Sequence, residues 1–246
     1  MSETLFISDL HLTAERPAII ELFKRFVNER GVHADALYIL GDFFEYWVGD
    51  DDPAEELKAV FDAFNTLHEQ QVPVYFMHGN RDFLIKTGFA KRTHCQIIPD
   101  PTSICINQQN IMLMHGDSLC TDDIKYQEFK LQVRSDEWQN AFTAKPLSER
   151  KMIVENLRKT SQSATSEKNE AIMDVNQQAV EKAVLKHNTR WLIHGHTHRP
   201  NIHQFKIDNM DVTRIVLGDW YEYGSVLSVT SHQQTDGFEF ELEIFQ

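Results

Sequence analysis

No stretch of about 18 apolar residues occurs in this chain, so no helix is expected to span a bilayer. The opening segment, MSETLFISDLHL, has neither the basic region nor the apolar stretch of a secretory signal; its apolar run reads as a short strand leading straight into polar residues. Cysteine is scarce. Cys95, Cys105 and Cys120 are odd in number and lack CxxC spacing, which argues against a disulfide framework and fits a reducing cytosol. The thiols read as small core residues, since no base is paired with any of them. Basic residues are outnumbered, 24 against 37, for a net charge of −13. Such a surface repels phosphate backbones, so nucleic acid is not an expected partner. Proline is sparse too, with seven in 246 residues, and neither a repeat nor a low-complexity segment appears. One large domain, residues 1 to 246, is the simplest reading.

One arrangement does recur. A short apolar run is followed at once by Asp, His, Gly or Asn. LFIS leads into DLH, LYIL into GDFFE, VYFM into HGNRD, IMLM into HGD, and WLI into HGHTH. Runs of about four apolar residues suit strands buried on both faces. The polar groups then all stand at strand C-termini, the edge where layered α/β folds bind ligands.

Helices are expected between the first strands. Pro17 to Arg30 carries Ile19, Ile20, Phe23, Phe26 and Val27 at helical spacing, opened by proline and closed by Gly31. Asp52, Pro53 and Glu55 look like a capping box for a second helix, with Leu57, Val60, Phe61, Phe64 and Leu67 on one face. From about 122 to 168 the chain turns rich in Lys, Glu and Gln, and is read as a helical cap insertion. A return helix follows, with Ile172, Val175, Ala179 and Ala183 on one stripe. RIVLGDW, SVLSVTS and FEFELEIF alternate and read as further strands. The expected fold is α/β and layered: two sheets, helices outside, and a helical cap over the strand ends.

IHGHTHRP places His194, His196 and His198 on alternate positions, which point the same way in an extended chain. With Asp9, His11, Asp42, Asn80 and His115 they supply carboxylate, amide and imidazole donors but no thiolate. That mix suits Mn²⁺, Fe or Zn²⁺ in a working site rather than a structural zinc. The donors are too many for one tetrahedral ion and suit a pair roughly 3.5–4 Å apart. Two cations sharing a water lower its pKa and orient a phosphoryl group for in-line attack, so phosphoester or phosphoanhydride hydrolysis is the implied chemistry.

These motifs, in order, resemble those of the calcineurin-like metallophosphoesterases: DxH, GDxx(D/E), GN(H/R)(D/E), a histidine near glycine, and GHxH. The resemblance implies a β-sandwich flanked by helices. It assigns Asp9, His11 and His198 to one ion, Asn80, His115 and His196 to the other, and Asp42 to the bridge. His194 is left out, as a strand-end residue with hydrogen bonds of its own. GNRD departs from the commoner GNHD or GNHE, so Arg81 stands where a histidine would act near the leaving group. A guanidinium grips phosphate oxygens but gives up no proton, which favours a substrate with a good leaving group, a phosphoanhydride.

GNRD, GDFFEYWVGDD, HGDSLCTDD, AIMDVNQ and GHTHRP together resemble a narrower family, the UDP-2,3-diacylglucosamine pyrophosphate hydrolases of lipid A biosynthesis. The resemblance runs from residue 5 to about 225. It implies hydrolysis to UMP and 2,3-diacylglucosamine 1-phosphate, with manganese as the usual ion. Catalytic roles would fall to Asp42, Asn80, Arg81, His115 and His196. Substrate contacts would come from Asn80, Arg81, Asp123, Ser161, Thr165, Lys168 and His196. Without the family, 161 to 168 is a plain solvated loop and Asp123 an N-cap.

A diacyl substrate requires an apolar trough. Phe43, Phe44, Tyr46, Trp47, Phe83, Phe89, Tyr126, Phe129, Trp138, Phe142 and Met152 are its candidates, with ordinary core the competing reading of each. Basic residues Lys145, Arg150, Lys151, Arg158, Lys159 and Lys168 in the cap, with Arg81, Lys86, Lys91 and Arg92, could face an anionic leaflet or simply solvent. Weak, salt-sensitive attachment to the cytoplasmic face of the inner membrane is the expectation, with no obligate protein partner. The rival readings are a pyrophosphatase of soluble nucleotide sugars or dinucleotides, and a metal-bound scaffold without turnover.

Overall fold

The structure, a computed structural model, describes residues 2–167, 174–231 and 237–246. Two sheets stack face to face. The first contains β1 (Ser2–Ile7), β2 (Ala36–Leu40), β3 (Val74–Met77), β4 (Gln96–Ile98), β10 (Gly224–Ser231) and β11 (Phe238–Phe245), in the spatial order β11-β10-β1-β2-β3-β4. The second contains β5 (Thr102–Ile106), β6 (Gln109–Met114), β7 (Trp191–His194), β8 (Asn201–Ile207) and β9 (Met210–Val216), in the order β5-β6-β7-β9-β8. Strands β1 to β4 run parallel, as do β6, β7 and β9; the antiparallel strands are β10 and β11 on the β1 side of the first sheet and β5 and β8 at the two edges of the second.

Alternation along each strand sorts the core into layers. Phe6, Leu40, Ile111, Leu113, Ile193 and Ile215 meet between the sheets. Their chain neighbours Leu5, Ile7 and Ile39 face outward onto α1 (Pro17–Glu29), α2 (Lys58–Glu69) and α3 (Thr87–Thr93). Met112, Met114 and Leu192 face the opposite way, onto α7 (Gln177–Lys186). The result is helix, sheet, sheet, helix, with both faces of the central strands covered as their unbroken apolar runs require.

The five strands that precede the polar motifs stand where their apolar runs place them, and α1 buries the five predicted residues. The second helix departs from expectation at its start. Ala54 adopts left-handed backbone (φ 44°), so a short 3₁₀ turn, Glu55–Leu57, precedes α2 and no capping box forms. Asp52 instead accepts from Ala54 N at 3.1 Å. In α7 the buried positions are Val180 and Val184, with Ala179 and Ala183 only partly covered; Val175 of the predicted stripe precedes the helix, and Ile172 lies outside the described residues.

Three helices lie between β6 and β7 ahead of α7: α4 (Ile124–Val133), α5 (Asp136–Thr143) and α6 (Leu147–Glu167). Asp123 caps α4 and Ser135 caps α5, each through a side-chain oxygen that accepts a backbone N–H. Phe142 is buried against the α1–α3 core, and Trp138, Leu147, Ile153 and Val154 pack on it.

Candidate active site

Five loops leave the C-terminal ends of β1, β2, β3, β6 and β7 and converge. Asp9, His11 and His198 bring ligand atoms within 4.8 Å of one another; Asp42, His115 and His196 do the same. Asp42 stands between the groups: Oδ2 lies 4.0 Å from His11 Nε2 and Oδ1 lies 3.7 Å from His115 Nε2. Asn80 joins the second group, with Oδ1 3.0 Å from His115 Nε2. All seven residues expected at the centre therefore meet there. Their chemistry fits divalent cations, because Asp9 Oδ1 is buried without a hydrogen-bond partner and the imidazole edges point inward together.

Backbone conformation aims these donors. Asp9, His11, Asp42, His196 and His198 all have φ between 49° and 70°, in the left-handed region. Non-glycine residues enter that region at a cost and cluster there at functional sites. Glycines let the loops close up. A Cβ on Gly79 would sit 2.1 Å from Asp42 Oδ1, and one on Gly195 would sit 2.3 Å from Asp9 Oδ2. This is the physical content of the GN and GH motifs.

His194 is committed elsewhere. Its Nδ1–H donates to Gly195 O at 2.9 Å and its Nε2 accepts from Arg214 at 3.1 Å. Burial and the neighbouring guanidinium push it down to about 3, so it is neutral. Alternation alone would have counted it with His196 and His198; the turn at Gly195 separates them.

Around the centre, fields oppose burial. Burial disfavours charge on His115, but Asp42, Asp117 and Asp9 outweigh it and push the imidazole up to about 9. His196 is pushed down to about 4 by burial and by His115. Asp9 resists burial because His198 holds its carboxyl well below the usual range. A site that binds a proton on His115 this strongly would bind a cation in its place.

Two acids in the motifs act one step back. Asp82 of GNRD accepts from Phe43 N and Gly79 N, both at 2.8 Å, and so ties the second loop to the third. Asp117 of HGD accepts from Tyr126 Oη at 2.6 Å and Lys130 Nζ at 2.9 Å, which fixes α4 beside His196.

The cluster opens into a cavity of about 370 Å³. Tyr46, Trp47, Phe83, Tyr126, Phe129, Trp138 and Phe142 line it, as the trough required. Four of the candidates do not. Phe43, Phe44 and Phe89 are wholly buried in the α1–α3 core, and Met152 faces solvent at 58% exposure. Proximity in sequence to a motif does not say which side of a strand or helix a ring takes. Arg81 lines the cavity, with its Nε buried and lacking a hydrogen-bond partner. Asp123 lines it as well, while capping α4. Ser161 and Thr165 fall on α6, but their side chains, like all of Lys168, lie outside the described residues.

The sequence reading passed over several wall residues, Glu45, Val133, Val154, Leu157 and Tyr221, and took Arg158 only for a basic residue of the cap surface. Glu45 closes the quoted GDFFE motif and Tyr221 follows GDW, so position beside a motif was the available signal. Asp219, of GDW itself, lies 3.5 Å from His198 Nδ1.

Fold and cluster together define a dinuclear-type phosphoesterase scaffold, and the profile of the calcineurin-like phosphoesterases matches residues 3–200. Three similar proteins carry the name UDP-2,3-diacylglucosamine hydrolase. One from Serratia proteamaculans is 46% identical, covering 93% of this chain and 95% of its own. Those from Proteus mirabilis and Stenotrophomonas maltophilia are each 48% identical, over 93% and 92% of this chain and 95% and 94% of theirs. The chain belongs to the UDP-2,3-diacylglucosamine hydrolase family of calcineurin-like phosphoesterases.

Proposed function

We propose that this chain hydrolyses the diphosphate of UDP-2,3-diacylglucosamine, releasing UMP and 2,3-diacylglucosamine 1-phosphate, a step of lipid A biosynthesis. The observation that carries this reading is one cavity that runs from the seven-donor cluster to the aromatic wall built by α4 and α5. Phosphate chemistry and room for acyl chains then belong to a single site. The reading assigns Asp9, His11 and His198 to one divalent ion, Asn80, His115 and His196 to another, and Asp42 to both, with Mn²⁺ as the ion. When bound, such a pair supplies a water of lowered pKa and neutralises phosphate charge.

The chain's own residues do the rest. Arg81 presents an unpaired buried donor to the cavity, where diphosphate oxygens would satisfy it. Asn80 and His196 face the same oxygens from the cluster. By the family resemblance Ser161, Thr165 and Lys168 of the helical cap, residues 122 to 168, would add substrate contacts. No histidine stands at position 81 to protonate a departing alkoxide, so a phosphate, as a phosphoanhydride supplies, is the suitable leaving group. The test is direct: incubate the protein with Mn²⁺ and a UDP-linked diacyl sugar in ¹⁸O water. UMP is expected, with label in one product only. UDP-sugars without acyl chains cleaved equally well would favour a pyrophosphatase of soluble substrates instead.

Peripheral attachment to the inner membrane surface belongs to the same proposal. Ion pairs reduce its electrostatic share: Lys145 with Glu149, Arg150 with Asp51, Lys151 with Asp52, and Arg158 with Glu45. Exposed Ile124, Leu131 and Met152 on α4 and α6 add an apolar share. Co-flotation with anionic vesicles that persists in part at high salt is expected; no flotation at any salt would remove the membrane from the proposal.

A further inference from the structure

Glu45 stands between one donor of the cluster and the long helix α6. Its Oε2 lies 3.1 Å from His11 Nδ1, and its Oε1 lies 3.0 Å from Arg158 Nε. Both nitrogens are buried, and neither N–H is aligned as a hydrogen bond, so these are close ion-pair contacts. His11 Nε2 meanwhile faces into the cluster, 3.3 Å from His198 Nε2. Two of the other imidazoles are also held from behind, but by groups of the strand-end layer: His115 by Leu40 O at 2.8 Å, His198 by Asp219 at 3.5 Å. The support of His11 differs in kind, because the group behind it is itself gripped by α6. That helix supplies Val154, Leu157 and Arg158 to the cavity wall.

We propose that Glu45 is a positioning residue for His11, and that the series Arg158–Glu45–His11 couples cation binding at the cluster to the placement of α6. The proposal rests on the two-cation reading of the site and is independent of which substrate is cleaved. A carboxylate behind a ligating imidazole fixes its tautomer and raises its basicity. A cation on Nε2 draws charge from the ring, so the Nδ1–H binds Glu45 more strongly and aligns it. Glu45 thus oriented holds Arg158, and with it one wall of the cavity. Linkage makes the effect reciprocal: whatever seats Arg158 must also favour the cation. The chamber for the substrate is thereby assembled over a loaded centre in preference to an empty one.

Calorimetric titration with Mn²⁺ and amide exchange of the full chain test this without substrate. In the unaltered protein, Mn²⁺ is expected to slow exchange across residues 150 to 158. Glu45→Gln should weaken one of two binding events about tenfold and abolish that slowing. Arg158→Gln should weaken the same event roughly fivefold, and Arg158→Lys should restore most of it. Exchange in α6 that ignores Mn²⁺ in the unaltered chain overturns the coupling. So does a Glu45→Gln protein with unchanged affinity at both sites. Where Glu45→Gln fails to fold, unchanged affinity and unchanged slowing in Arg158→Gln reject it equally. A protein that releases no UMP can still pass or fail these measurements, which separates this proposal from the substrate assignment.

Discussion

His11 Nε2 and His198 Nε2 face each other at 3.3 Å, brought there from positions 187 residues apart. Two imidazole lone pairs at that distance repel unless a proton or a cation lies between them. Asp9 Oδ1, 3.4 Å from His198 and without a hydrogen-bond partner, completes a three-donor face. The purified protein is therefore expected to carry two divalent ions by elemental analysis. Asp42→Ala, which removes the residue shared by both groups, should release them and lower turnover by roughly 100-fold or more. Metal content that survives this substitution would sink the site.

Arg81 offers a second test. Its guanidinium, not merely its charge, matches two phosphate oxygens. Arg81→Ala should reduce kcat/KM by roughly 100- to 1,000-fold, with metal content intact. Arg81→Lys should recover only a minor part, since an ammonium cannot reproduce the fork. Full recovery in the lysine variant would show that Arg81 acts as a point charge.

The apolar wall can be probed at Trp138, which stacks on Phe142 at 4.9 Å between ring centroids. Phe142 is 3% exposed, so its truncation costs about 3–5 kcal/mol of stability and confounds the reading. Trp138→Ala is cleaner. Steady-state kinetics should show a rise in KM for the diacyl substrate of roughly tenfold, from about 1.4 kcal/mol of lost contact, and little change for a deacylated analogue. Equal losses on both would assign Trp138 to the core alone.

His194 carries a pH signature. Burial and Arg214 push it down to about 3 in the folded chain, against about 6.5 when unfolded. Between those values the unfolded state binds the extra proton. This residue's contribution therefore falls as pH drops from 6.5 toward 3, and is complete above 6.5. Asp82 and Asp100, both raised to about 6 chiefly by burial, act in the opposite sense over part of that range. Their effect cancels when His194→Gln is compared with the unaltered chain. Urea midpoints of the variant should fall less steeply from pH 7 to 4; parallel curves would reject the assignment.

Much of this molecule was legible in its residues, and the reason is locality. A four-residue apolar run that ends in DLH or HGD states both the strand and the place of its donors. The edge strands β4, β5 and β8 carry no such statement, because exposed alternating residues resemble loop. Charge was misread for a related reason. Arg150 counts toward a basic surface in sequence, yet it is 2% exposed and bonded to Val48 O and Asp51. The roles of Glu45, Asp219 and Tyr221 depend on what lies behind two histidines, which only the folded chain specifies.

The left-handed backbone at Asp9, His11, Asp42, His196 and His198 sets a limit on improving this protein. Each such residue costs on the order of 1–3 kcal/mol relative to a relaxed conformation. Glycine at any of the five would ease that tension and yield a hardier molecule with a crippled centre. Selection for thermal endurance alone would drift toward those replacements, so robustness and turnover pull this chain in contrary directions at the same five positions.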